Sequence, residues 1–144
     1  MNLTDLKAMV ADDLVMDDTE LDIESLRTPQ LHNKYLNFYH DEKLIYVKQD
    51  EEYKKLYRLK WEYYTGKLDP DSLDRLQWEP FQFNILKADI DKYLSSDEDL
   101  SLMRLRLSYT KEKVDYLESV IKIISNRQWN IRSAIDWRKF LNGV

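Results

Sequence analysis

Between Tyr53 and Lys67 the chain reads Tyr-Lys-Lys-Leu-Tyr-Arg-Leu-Lys-Trp-Glu-Tyr-Tyr-Thr-Gly-Lys, which puts five cations, five aromatic rings and one acid, Glu62, into fifteen residues. Single-stranded nucleic acid calls for that mixture. Cations neutralise phosphates and release counterions, and flat side chains give bases a surface to stack on, worth about 1–3 kcal/mol per base. The side chains expected to do this are Lys54, Tyr57, Arg58, Lys60, Trp61, Tyr64 and Lys67. The competing reading is a solvated basic face whose rings belong to a core, in a helical coiled-coil adaptor or scaffold with no nucleic-acid role.

The spacing predicts a helix through this stretch. At about 100° per residue, Leu56, Leu59 and Tyr63 form a burying seam. Tyr53, Tyr57, Lys60 and Tyr64 line a second stripe, and Lys54, Arg58 and Trp61 a neighbouring third. Both stripes are expected to face solvent.

Other chemistries find little support. There is no cysteine for disulfides or thiolate metal sites, and two glycines, Gly66 and Gly143, cannot build a phosphate-cradling loop. His32 and His40 stand about two turns apart on one predicted helix, too far to share an ion. The acidic run from Asp17 to Glu24 lacks the glycine and the ligand spacing of a calcium loop, and reads as an acidic linker or docking surface. No carboxylate pair is marked out for acid–base work. The expectation is a protein that is not an enzyme and needs neither cofactor nor metal. Nothing at the amino terminus resembles a secretion signal and no apolar run approaches membrane-spanning length.

Two rods must position the motif. Thr28-Pro29 reads as a helix start, a hydroxyl cap followed by proline at the first helical position, and nothing breaks the pattern until Gly66. Such a helix has about 37 residues and is about 55 Å long. Its 4,3 register runs Leu31, Tyr35, Phe38, Glu42, Ile45, Gln49, Glu52, Leu56, Leu59, Tyr63, an interrupted heptad pattern. A cleaner register, Met103, Leu107, Thr110, Val114, Leu117, Ile121, Ile124, marks a second rod opened by a capping box from Ser95 to Glu98. Met103, Leu107, Val114, Leu117, Ile121 and Ile124 are expected to form an oligomerisation surface.

Shorter elements fill the remainder. A short amphipathic helix runs from Leu3 to about Leu14. Gly66 ends the first rod, Asp69-Pro70 opens a turn or short helix, and Phe81, Phe83 and Ile85 alternate in an extended hinge before a helix from about Asn84 to Leu94. Beyond a break at Ser125-Asn126, large apolar residues edged by Arg127, Arg132, Arg138 and Lys139 make a C-terminal helix that either packs on the body or a neighbouring subunit, or touches nucleic acid.

Two glycines and three prolines in 144 residues predict an all-α chain, read as a single elongated helical domain: 1–67 with the motif, 68–94 as hinge and short helix, 95–144 for assembly. Formal net charge is −5, but it is unevenly spread. Residues 1–30 carry eight acids against Lys7 and Arg27, whereas residues 104–144 carry nine bases against four acids. Charges farther apart than about 8 Å are largely screened at physiological salt, so the local balance of the motif outweighs the total.

The run from Leu56 to Lys67 resembles the signature of the UvsY family, recombination mediators of T4-like phages: two cations two residues apart, then an acid, paired tyrosines, a small hydroxyl residue, glycine and a base. An N-terminal Leu-x-x-Leu, the acidic Asp17-Asp18-Thr19 segment and a basic C-terminal helix fall in similar places. Arg58 and Lys60 match the family cations implicated in single-stranded DNA binding, here in reversed order. The resemblance implies recombination, repair and recombination-dependent replication in the cytoplasm of an infected bacterium. It also implies a ring-like homo-oligomer of about six or seven subunits. Its implied partners are single-stranded DNA, the phage single-strand-DNA-binding protein that coats it, and a RecA-like, UvsX-type recombinase that it helps to load.

Overall fold

The computed structural model describes residues 1–143, and among them every regular element is helical. In chain order these are α1 (Leu3–Asp13), α2 (Leu21–Tyr64), α3 (Pro70–Leu76), a 3₁₀ turn (Lys87–Asp89), α4 (Ile90–Ser96), α5 (Glu98–Ser125) and α6 (Arg127–Leu141). They group into two compact units, one of residues 1–43 with those from 111 onward, the other of residues 44–110.

The first unit packs α1 and the start of α2 against the second half of α5. Leu6, Val10, Leu31, Tyr35, Leu117 and Ile124 are all buried in its core. Asp13, at the end of α1, accepts bonds from Lys34 Nζ at 2.6 Å and Tyr35 Oη at 2.7 Å. Glu42 meets Lys113 at 2.9 Å. In the second unit, Gln49 Oε1 accepts a bond from Thr110 Oγ1 at 2.7 Å. Gln49 and Thr110, polar members of the two 4,3 registers, therefore face each other. In each unit, residues of α2 and α5 thus meet directly.

Part of the expected oligomerisation surface is turned into the protomer. Val114, Leu117 and Ile124 are buried within the protomer, Ile121 packs against the same core, and Met103 and Leu107 are half-buried. Val114, Leu117 and Ile124 are thus covered within the protomer, while Met103 and Leu107 keep part of their surface exposed.

Thr28-Pro29 is not a helix start. α2 begins at Leu21 with Asp22 and Glu24 in its first turn, and Pro29 lies inside it. A proline there gives the Ser25 carbonyl no partner and commonly costs about 3 kcal/mol. Here Ser25 and Pro29 sit on the exposed face, where water reaches the carbonyl. On the opposite side the buried Arg127 guanidinium bonds the Glu24 carbonyl at 3.0 Å, the Glu24 carboxylate at 2.9 Å and Thr28 Oγ1 at 3.2 Å. This clamp carries the helix through the proline.

Two further boundaries differ in detail. Asp97, not Ser95, caps α5, accepting the Leu100 N–H at 2.9 Å, while Ser95 and Ser96 back-bond to the Lys92 carbonyl. The helix expected from Asn84 begins only at Ile90, after the 3₁₀ turn.

Candidate nucleic-acid interface

The C-terminal end of α2 is built to stop abruptly. Gly66 takes φ +71°, its N–H bonds the Tyr63 carbonyl at 3.2 Å, and the Lys67 N–H bonds the Glu62 carbonyl at 2.8 Å. This is a Schellman closure, which glycine adopts without the steric penalty of a Cβ. Asp69 then caps α3 through the Ser72 N–H, with Pro70 at the first helical position. The chain returns past α2 as an extended stretch, held by the Tyr63 hydroxyl donating to the Glu79 carbonyl.

Aromatic edges fix this return. Phe81 sits edge-on to Tyr64, centroids 5.1 Å apart, and Trp78 edge-on to Tyr63 at 5.3 Å. Between the end of α2 and the returning strand of chain lies an open groove of about 600 Å³, lined by Trp61, Tyr64, Lys67, Phe83, Asn84 and Lys87 among others. Phe83 is 71% exposed. Rings, cations and amide groups thus share one cleft.

The seven expected site residues divide. Lys54, Arg58 and Trp61 lie on one exposed stripe. Lys54 leans on Asp50 at 3.0 Å, and Arg58, its side chain 80% exposed, pairs with Glu62 at 3.1 Å. Exposed pairs of this kind contribute little and yield readily to a phosphate. Tyr57 is exposed beside Tyr53, and Lys67 Nζ stands 4.6 Å from the Trp61 ring centroid.

Lys60 turns inward, contrary to the exposed stripe expected for it, and the Tyr64 hydroxyl points the same way although its side chain lines the groove. Lys60 is 7% exposed, with Nζ 3.2 Å from Asp97 and 2.9 Å from Asp99, and 4.3 Å from the Trp78 ring centroid. Tyr64 Oη donates to Asp97 at 2.6 Å. Burial alone would raise the Asp97 carboxyl, but the bonds it accepts from Tyr64, Leu100 and Lys60 outweigh this and hold it below the ordinary carboxylate range. Burial would likewise lower the Lys60 ammonium, and the carboxylates of Asp99 and Asp97 instead keep it above its usual value. Burial and the Asp97 partner push the Tyr64 phenol up. Lys60 belongs to the burying face because the acids that satisfy it arrive from α5.

Phe83, Asn84 and Lys87 were not among the expected residues. Their signal was the alternation of Phe81, Phe83 and Ile85 with no partner strand, a pattern of rings that need something to cover them. Among the described residues no cluster of His, Cys, Asp or Glu is arranged to hold a metal ion, and no helix is long and apolar enough to cross a membrane.

The profile described as "Recombination, repair and ssDNA binding protein UvsY" matches residues 9–144. The recombination protein uvsY of Enterobacteria phage T4 is 25% identical over 143 residues, covering 99% of this chain and 99% of its own. Two crystal structures of the bacteriophage T4 recombination mediator protein UvsY, from different lattices, are similar in fold, with TM-scores of 0.88 and 0.86. Each is 25% identical, and the matches cover 99% and 97% of this chain and 98% and 99% of theirs. Of the two readings open from sequence, a nucleic-acid binder or an adaptor without that role, the family decides for the first. The chain belongs to the UvsY family of recombination, repair and single-stranded-DNA-binding proteins.

Proposed function

We propose that the chain is a recombination mediator that holds single-stranded DNA along the outer stripe of α2 and in the groove at its end. It thereby helps a RecA-like recombinase onto strands coated by a single-strand-binding protein in the cytoplasm of an infected bacterium. The observation that carries this reading is the groove of about 600 Å³ beside Trp61 and Lys67, open and lined by rings and by the cations Lys67 and Lys87, with Asp91 as its one carboxylate among the described residues. Lys54, Arg58, Lys67 and Lys87 supply phosphate contacts, and Trp61 and Phe83 offer faces to bases.

A single copy of so few contacts binds weakly at physiological salt. Several copies on one strand raise the effective concentration of each next contact and increase avidity by about 10²–10⁴. Self-assembly therefore belongs to the mechanism. We assign it to the exposed face of α6, where Trp137 and Phe140 stack with centroids 5.5 Å apart and Leu141 is exposed. Exposed apolar clusters of this kind mark association surfaces.

The test is a salt titration of a labelled oligonucleotide. For single strands log K falls with log[salt] at about −0.7 per phosphate neutralised. Arg58→Ala and Lys67→Ala should each flatten the slope by about that amount. Slopes equal to the parent's in both variants would move the DNA elsewhere.

A further inference from the structure

We infer that Lys60, although it lies within the cationic motif, does not touch DNA and instead positions the groove wall. The inference rests on the groove reading above. An ammonium has three donors, and two carboxylates and an indole face already surround this one, at 3.2 Å, 2.9 Å and 4.3 Å. Reaching a phosphate would exchange two acids for one, and would leave Asp97, itself 6% exposed, without its cation. Nothing in that exchange favours the phosphate.

What Lys60 holds is the wall on either side of it. Through Asp97 it is tied to the hydroxyl of Tyr64, which lines the groove, and to the capped start of α5. Through Trp78 it is tied to Tyr63, whose hydroxyl fixes the Glu79 carbonyl and whose ring meets Phe81 at 5.7 Å. Withdrawing the ammonium leaves a buried carboxylate to seek water or a proton. Tyr64 and the Trp78–Phe81 segment then lose their common anchor.

A direct phosphate ligand and a positioning residue predict opposite signs for the acids. Binding of a fluorescein-labelled deoxythymidine oligomer would be measured across a salt series for the parent, Lys60→Met, Asp97→Asn, Asp99→Asn, Lys60→Met with Asp97→Asn, and Trp61→Ala. The positioning role predicts that Lys60→Met and Asp97→Asn each weaken binding about tenfold with the parent's salt slope. It also predicts that the double variant binds more tightly than Lys60→Met alone, because no lone carboxylate remains.

Tighter binding in Asp97→Asn and Asp99→Asn, as expected of an ammonium released to reach DNA, would overturn the inference. So would a slope flattened by about 0.7 in Lys60→Met, or parental affinity in that variant. Should Lys60→Met not fold, the sign of the Asp97→Asn effect decides alone. Parental affinity in Trp61→Ala is a separate result, which removes the groove itself as the DNA site.

Discussion

Lys67 Nζ lies over the Trp61 indole, 4.6 Å from the ring centroid, so the face offered to a base is already occupied by a cation. On the proposed function, an incoming nucleotide would give the ammonium a phosphate and take the indole for its base. Trp61→Ala is therefore expected to weaken oligonucleotide binding by about 1–3 kcal/mol, with little dependence on sequence. In a variant with Trp78, Trp129 and Trp137 replaced by Phe, the remaining Trp61 emission should change on DNA addition and saturate with the binding curve.

The Asp97 carboxyl titrates below its ordinary value in the folded chain. A group depressed in this way contributes stability above the unfolded carboxylate pKa of about 3.9 and loses it as the pH falls through the folded value. Acid unfolding followed by fluorescence should thus be steeper in the parent than in Asp97→Asn below about pH 4. Lys60, raised in the fold, gives the reverse at the other end: its contribution is complete below about pH 10.5 and fades as the pH rises past that value.

Arg127 is 1% exposed and paired with Glu24, so its loss strands a buried carboxylate. Arg127→Ala is expected to destabilise the chain by about 3–5 kcal/mol in a denaturant titration. Restoring proline-free geometry by Pro29→Ala in that background should recover part of the loss, because the clamp would no longer be needed to hold α2 together there.

Gly66 and Gln77 both sit in the left-handed region, at φ +71° and +57°, each ending a helix. Gly66→Ala should cost about 1 kcal/mol and Gln77→Gly should stabilise by a similar amount, read from thermal midpoints. A Cβ at Gly66 would meet no neighbouring atom within 4 Å, so the cost in that variant is conformational and not a clash.

The exposed α6 rings give a prediction about assembly. Trp137→Glu with Phe140→Glu should shift light-scattering mass toward the monomer and lower apparent DNA affinity by up to the avidity factor of about 10²–10⁴, while helicity stays at the parental level.

Much of this architecture could be read before the coordinates. The Gly66 stop and the Asp69-Pro70 start depend on residues a few positions apart, so local chemistry decides them. The two 4,3 registers were legible too, but not that they face each other, although Glu42 and Gln49 on one and Thr110 on the other already signalled positions needing polar partners. Where the reading failed, the deciding partner is distant. The turn beside Pro29 is braced by Arg127, some hundred residues away, its bonds to Glu24 spanning 103 positions. Lys60 faces inward because Asp97 and Asp99 come from another helix. A helical wheel contains neither fact. The alternation of Phe81 and Phe83 predicts an extended segment, yet a groove exists only once that segment returns past Trp61.

The division of the chain has a consequence for its birth on the ribosome. Residues 44–110 form one uninterrupted unit, whereas residues 1–43 must wait for those from 111 onward. The start of α2 is fastened late, since Glu24 meets its arginine only after 103 more residues have emerged. Contacts so far apart in sequence slow folding. The nascent amino terminus would spend that interval with Leu6, Val10 and Leu31 uncovered, a window in which a chaperone or a neighbouring nascent copy has first access to them.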